Sequence, residues 1–237
     1  MRKIAIVLFA LVSWASTAQA QTPADTTQQI LDKYVAAIGG KAALMKVTDL
    51  TTSMSSKTDR ATMLVTRRQK LPNKFAVVIN ANGKDVMTQT SDGENVKMGG
   101  TQGNRTLDGA IARQMTTTNV LFPELRYAEN GVKSQYVGME KADGKETYKV
   151  SHTTADGSVT WTDNFDVKTG LKVQSVVGGG SLQGVMNATM LYSDYKATNG
   201  ILFPMTIRQQ SGRGAMTMKV DNIKINKGLK DADFTVK

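Results

Sequence analysis

Cysteine is absent from this 237-residue chain, histidine occurs once, proline four times, and aromatic residues make up only 6%. Without cysteine there is no disulfide framework, no thiolate nucleophile and no thiolate metal ligand. With His152 as the only imidazole, zinc and copper sites lack their usual donors. No G-x-S-x-G elbow and no H-E-x-x-H pair occurs. The glycine-rich stretches Gly99-Gly100-Thr101-Gln102-Gly103 and Gly178-Gly179-Gly180 have neither a following Lys-Ser/Thr nor G-x-G-x-x-G spacing, so they read as loops. His152 lies in the alternating run from Tyr148 to Thr153 and is expected to pack on a sheet face. Glu124, Asp163 and Asp166 could supply a glycosidase-like carboxylate pair. Asp163 and Asp166, however, flank Phe165 just before Lys168-Thr169-Gly170, where acids serve turn geometry. The expectation is a protein without catalysis, metal or other cofactor.

The first twenty residues are more informative. Arg2 and Lys3 precede an apolar run from Ile4 to Val12, and Ala18-Gln19-Ala20 stand before Gln21. A charged start, a short greasy middle and a small-x-small exit are the parts of a secretory signal peptide, and the run is too short to span a bilayer as a permanent helix. Residues 1–20 are therefore read as a cleaved signal, and residues 21–237 as one domain long enough to bury a core without staples. No cysteine at the cut accepts a lipid anchor. Export with no cysteine fits a soluble bacterial periplasmic protein, expected to be a monomer.

Loss of Arg2 and Lys3 lowers the formal charge from +10 to +8. Such a balance favours anionic partners, although export argues against nucleic acid. The only dense basic group is Arg67-Arg68, Lys70 and Lys74, with no regularly spaced aromatics for base stacking. It reads as a solvated strand end and turn around Leu71-Pro72-Asn73, with contact to an anionic membrane surface as the secondary reading.

Helical periodicity predicts one helix over Thr27–Ile38, where Ile30, Leu31, Tyr34, Val35 and Ile38 form one apolar face. Asp25, Thr26 or Thr27 are cap candidates, and Gly39-Gly40 is the stop. A short helical piece is expected over Lys41–Val47. A further helix over Leu107–Thr117 places Leu107, Ile111 and Met115 four apart. Nearly everything else alternates with period two. Asn82-Gly83, Asp92-Gly93, Asp143-Gly144 and Asp156-Gly157 offer the turns that hairpins need. About ten strands with few helices and no βαβ rhythm argue a mainly β, α+β protein built on one strongly curved antiparallel sheet or barrel.

Methionine is unusually abundant, thirteen in all. Its unbranched, polarizable side chain re-packs around irregular apolar shapes, which suits a surface that accepts flexible hydrocarbon as well as an ordinary core. Several segments carry a resemblance. The stretch Ile30-Leu31-Asp32-Lys33-Tyr34-Val35-Ala36-Ala37-Ile38-Gly39-Gly40-Lys41-Ala42-Ala43-Leu44 is similar to the start of the LolA-like family of exported lipoprotein-sorting or carrier proteins. So are Tyr148-Lys149-Val150 through Asn164-Phe165-Asp166-Val167-Lys168-Thr169-Gly170-Leu171, Tyr192-Ser193-Asp194-Tyr195 with Gly200-Ile201-Leu202-Phe203-Pro204, and Ile223-Lys224-Ile225-Asn226 with Asp231-Ala232-Asp233-Phe234.

The resemblance implies an unclosed antiparallel barrel around a hydrophobic cavity with a helical lid, and a carrier of acylated lipoprotein or lipid. By that analogy Leu107–Thr117 is the lid, with Ile111 and Met115 facing the cavity. Met54, Met63, Val65, Phe75, Val77, Met190, Met216 and Met218 are then the strand residues expected to line it. The alternative is an envelope protein-binding or sensory module that uses the same fold.

Overall fold

The computed structural model describes residues 23–57, 61–101, 103–177, 188–212 and 214–236. The signal segment, the triple glycine and Met186 lie outside the described residues. Helix α1 spans Pro23–Ala37 and α2 Lys41–Leu44. Six strands follow: β1 Asp49–Lys57, β2 Thr62–Lys70, β3 Lys74–Ala81, β4 Lys84–Ser91, β5 Val96–Gly100 and β6 Arg105–Leu107. Helix α3, Gly109–Asn119, and a single 3-10 turn at Pro123–Leu125 precede the second set. These are β7 Lys133–Ala142, β8 Lys145–Thr153, β9 Thr160–Asp166, β10 Lys172–Val177, β11 Ala188–Thr198, β12 Ile201–Ser211 and β13 Gly214–Ile225.

Helix α1 starts four residues earlier than the sequence predicts. Proline fits the first helical position because its fixed φ and missing N–H cost nothing there, so Asp25, Thr26 and Thr27 lie inside the helix and not at the position before it. The Thr27 hydroxyl instead accepts a 2.8 Å bond from the Tyr136 amide, tying the helix to β7. Gly39 and Gly40 end the helical turn as expected, with φ of 135° and 83°. A Cβ on Gly39 would stand 2.9 Å from the Gly200 carbonyl oxygen, so this is a close approach as well as a stop.

All thirteen strands form one antiparallel sheet in the order β6-β5-β4-β3-β2-β1-β13-β12-β11-β10-β9-β8-β7. The count exceeds the expected ten. Strand β4 is half-buried along most of its length and β7 alternates exposed with half-buried positions, so neither carries a strong apolar alternation, and Gly99-Gly100 ends β5 instead of forming a loop. Asn82-Gly83 and Asp143-Gly144 hold positive φ at both turn positions (50° and 84°, 47° and 75°), the requirement of a two-residue hairpin. At Asp92-Gly93 and Asp156-Gly157 only the glycine does so.

Two meanders, β1–β6 and β7–β13, are joined where β1 pairs with β13, from Leu50 opposite Ile225 to Ser55 opposite Lys219. The sheet does not close, because β6 and β7 are its opposite edges. These edges are consecutive in the chain, so residues 108–132 must travel from one end of the sheet to the other. Helix α3 lies on that path. Its placement is two residues later than predicted because Gly109, at φ 59°, opens it after β6.

The crossing segment and α1 are packed down by two apolar clusters. Ile30 and Leu31 meet Tyr127, Val150, Trp161 and Phe165 in one, while Val35 and Ile38 meet Leu44, Leu50, Leu121 and Ile201 in the other. Burial of such side chains is the dominant favourable term, about 1.5–3 kcal/mol each.

Candidate functional site

A cavity of about 540 Å³ lies between the sheet, α1 and the crossing segment. Tyr34 comes from α1 and Ile38 from the turn that follows it, Arg67 and Gln69 from β2, Thr118 to Glu124 from the crossing segment, Trp161 and Asp163 from β9, and Met190 and Tyr192 from β11. Strands β2 and β9 are six positions apart, about 29 Å in a flat sheet. Both touch the same cavity, so the sheet bends around it. The size falls within the range of small-molecule and cofactor sites.

One wall carries a buried polar network. Lys172 Nζ lies 2.8 Å from Asp163 Oδ2 and 2.5 Å from Glu124 Oε1, and Ser175 Oγ donates to Asp163 Oδ1 at 2.5 Å. The Lys172 ammonium also sits over the rings of Tyr34 and Phe165, 5.4 and 5.7 Å from their centroids. Burial alone would raise the Asp163 carboxyl, but Lys172 and then His152 outweigh it and hold it below the usual carboxylate range. Burial likewise opposes the charge on Lys172, and Asp163 with Glu124 more than restores it. Tyr34 and Tyr127 are pushed up, chiefly by burial.

His152 is fully buried and its pKa is lowered to about 4, by burial first, against the pull of Asp163. It is therefore neutral at neutral pH, and its Nε2, 3.5 Å from Asp163 Oδ2, makes no ion pair and no hydrogen bond. Ser134 Oγ holds the other ring nitrogen at 2.8 Å, and Trp161 stacks on the imidazole with centroids 5.2 Å apart. Asp163 thus stands against Ser175, and His152 Nε2 has no bond to that hydroxyl. What the network does mechanically is join Glu124 of the crossing segment to β9 and β10.

The sequence reading of the two aspartates divides. Asp166 shapes the turn, accepting from the Lys168 and Thr169 amides at 2.8 Å. Asp163 plays no part in it. Lys70 and Lys74 pair with the exposed Asp231 at 2.7 and 3.2 Å, as a solvated strand end would. Arg67 does not join them. Its side chain turns to the cavity side of β2, in the alternation Val65, Arg67, Gln69, and that alternation is the signal that could have separated it from its basic neighbours.

Of the residues expected to line a cavity, Met190 does so directly. Met54, Met63, Val65, Val77, Met216 and Met218 gather in a separate apolar cluster with Ile79, Met205, Ile207 and Val220. The two regions touch, since Tyr192 of the cavity pairs with Ile207 and Ile207 with Met218. Phe75 is fully buried with Val96 and Ala112, and Met115 packs against that group under α3, so these two anchor the crossing helix. Ile111 lies within α3. Among the described residues no three His, Cys, Asp or Glu side chains are grouped to hold a metal, and no helix is long and apolar enough to cross a membrane.

No family profile matches the chain, and no curated protein matches it in sequence. Solved structures do. A LolA superfamily protein from Nitrosomonas europaea superposes with TM-score 0.59 at 15% identity, covering 89% of this chain and 97% of its own. A domain described as an outer membrane lipoprotein-sorting protein from Vibrio parahaemolyticus gives 0.57 at 12% identity, with coverage of 89% and 97%. A DUF1329 family protein from Desulfovibrio piger gives 0.56 at 13%, covering 88% and 97%. The chain has the fold of the LolA superfamily.

Proposed function

We propose that this protein is an exported, periplasmic, non-enzymatic carrier that shelters acyl chains of a lipid or lipoprotein beneath the crossing segment. Residues 1–20 are its cleaved signal and residues 21–237 a single carrier domain that acts as a monomer. The observation that carries this reading is the cavity bounded by Ile38, Leu50, Leu121, Met190 and Leu202, continuous along the sheet with the methionine cluster. The shared fold with a lipoprotein-sorting domain supports it.

At about 0.8 kcal/mol per CH₂, a tail of roughly fifteen carbons gains about 12 kcal/mol on burial before ordering costs are subtracted. A crossing segment that packs apolar residues into the same space lets binding exchange one apolar contact for another. Met54, Met63, Val65, Met216 and Met218 then form the softer end of the site, and α3 with Ile111 and Met115 its lid. The test is native mass spectrometry of protein from its own envelope fraction, with organic extraction and lipid identification. One bound acylated species per chain is expected. A clean apo mass together with no uptake of added lipid or lipopeptide overturns the reading.

A second reading, a protein-binding envelope module, is favoured by β7. This edge strand leaves Val137 and Met139 about half exposed at 50% and 55%, and open edges invite strand addition.

A further inference from the structure

Among the described residues, Arg67 is the one cavity-lining cation without a counter-ion. The arginines that form ion pairs among the described residues are Arg126 and Arg208, whereas Lys172 on the far wall is already held by two carboxylates. Arg67 Nη2 donates to a neutral amide, Asn119 Oδ1, at 3.0 Å. Its Nε is buried with no hydrogen-bond partner. An unsatisfied donor on a desolvated charge is among the costliest arrangements a protein keeps, and the guanidinium fork matches carboxylate and phosphate oxygens in a bidentate manner.

We propose that the ligand of this cavity carries an anionic head, a carboxylate or a phosphate ester, that seats on the Arg67 guanidinium. The proposal rests on the acyl-binding reading and narrows it to anionic amphiphiles. Position supports it as much as charge. Arg67 stands on β2 between Gln69, which lines the cavity, and Val65, which belongs to the methionine cluster, so a head held there has apolar surface on both sides for its tail. Gln69 does not compete for the head, because its amide nitrogen already donates to the Asn119 and Val120 carbonyls at 2.7 and 3.2 Å. Burial lowers the Arg67 pKa, and among the described residues no carboxylate forms an ion pair with it, the arginine pairs being those of Arg126 and Arg208. A neutral ester or amide head would give Arg67 no ionic partner.

Equilibrium binding to delipidated protein tests this with two matched pairs, palmitate against methyl palmitate and dioleoylphosphatidylglycerol against dioleoylglycerol. The anionic member of at least one pair is expected to bind about tenfold tighter or more, the factor a charge-assisted contact gives. Preference in the first pair alone names a carboxylate head, and in the second alone a phosphate. Arg67→Gln is expected to erase the preference, read as the ratio of the two affinities within each pair. Arg67→Lys keeps the charge and is expected to retain part of the preference, which decides the matter if the glutamine variant does not fold. Equal affinity within both pairs, or a preference that survives Arg67→Gln, overturns the proposal and leaves acyl binding intact. Failure of all four ligands to bind overturns acyl binding and the proposal together.

Discussion

Lys172 of β10 and Glu124 of the crossing segment form a buried contact of 2.5 Å, and the same ammonium reaches Asp163 of β9 at 2.8 Å. One cation therefore serves two carboxylates, and the three side chains keep a net negative charge out of water. Lys172→Met strands both acids and is expected to cost about 3–5 kcal/mol. Glu124→Gln leaves the Lys172–Asp163 pair whole and is expected to cost less. Urea unfolding of both variants checks the order; a glutamine variant weaker than the methionine one would contradict it.

His152 sets a pH dependence. Its folded pKa of about 4 lies below its ordinary value, so between that value and about 4 the unfolded chain binds the proton that the folded chain refuses. Stability is then lost as pH falls through this window, by about 3 kcal/mol at most from this group. Asp163, also depressed, adds loss in the same direction below the ordinary carboxylate pKa. Unfolding free energies of wild type and His152→Gln at pH 7 and pH 5 are expected to converge at the lower pH. Parallel curves would show that the imidazole does not titrate in this window.

Trp14 and Trp161 are the two tryptophans, so a chain cut after Ala20 has Trp161 alone, on the cavity wall. Entry of an acyl chain is expected to shift its emission. Met190→Asp places a carboxylate on the same cavity lining and is expected to lower acyl affinity at least about tenfold with the fold intact, because an apolar contact for the acyl chain is replaced by a charge that must be desolvated when the chain enters. Unchanged affinity in a folded variant would remove this cavity from consideration as the acyl site.

Gly39 offers a test of the junction between α1 and the sheet. With φ of 135° and the Gly200 oxygen 2.9 Å from any added Cβ, Gly39→Ala is expected to destabilise by about 1–3 kcal/mol. Gly40→Ala, with open space around it, carries only the backbone strain and is expected to cost less. Thermal melts of the two variants give the comparison.

The helices and hairpins were legible where a single local rule governs them. Ile30, Leu31, Tyr34, Val35 and Ile38 show their stripe, and Asn82-Gly83 and Asp143-Gly144 their turns, because both depend on neighbours within a few residues. The site was much less legible. Asp163 and Lys172 are nine positions apart but meet across a strand pair, and Glu124 arrives from a segment whose course is set by which strands end the sheet. No spacing in the sequence encodes that meeting. Arg67 was hidden differently: its three basic neighbours suggested solvent, while the face it occupies is decided by strand alternation.

The pairing of β1 with β13 joins Leu50 to Ile225, almost the full length of the described chain. The middle of the sheet is thus its most non-local seam, and it is made from the first strand and the last. Each meander can form early from neighbouring hairpins, yet each keeps a bare inner edge until the final strand is available. Such long-range pairing makes folding slow and leaves edges exposed in the meantime. A chain delivered N-terminus first therefore remains incomplete until nearly all of it has emerged, and loss of the residues from Gly214 onward would split the sheet at its centre rather than trim its rim.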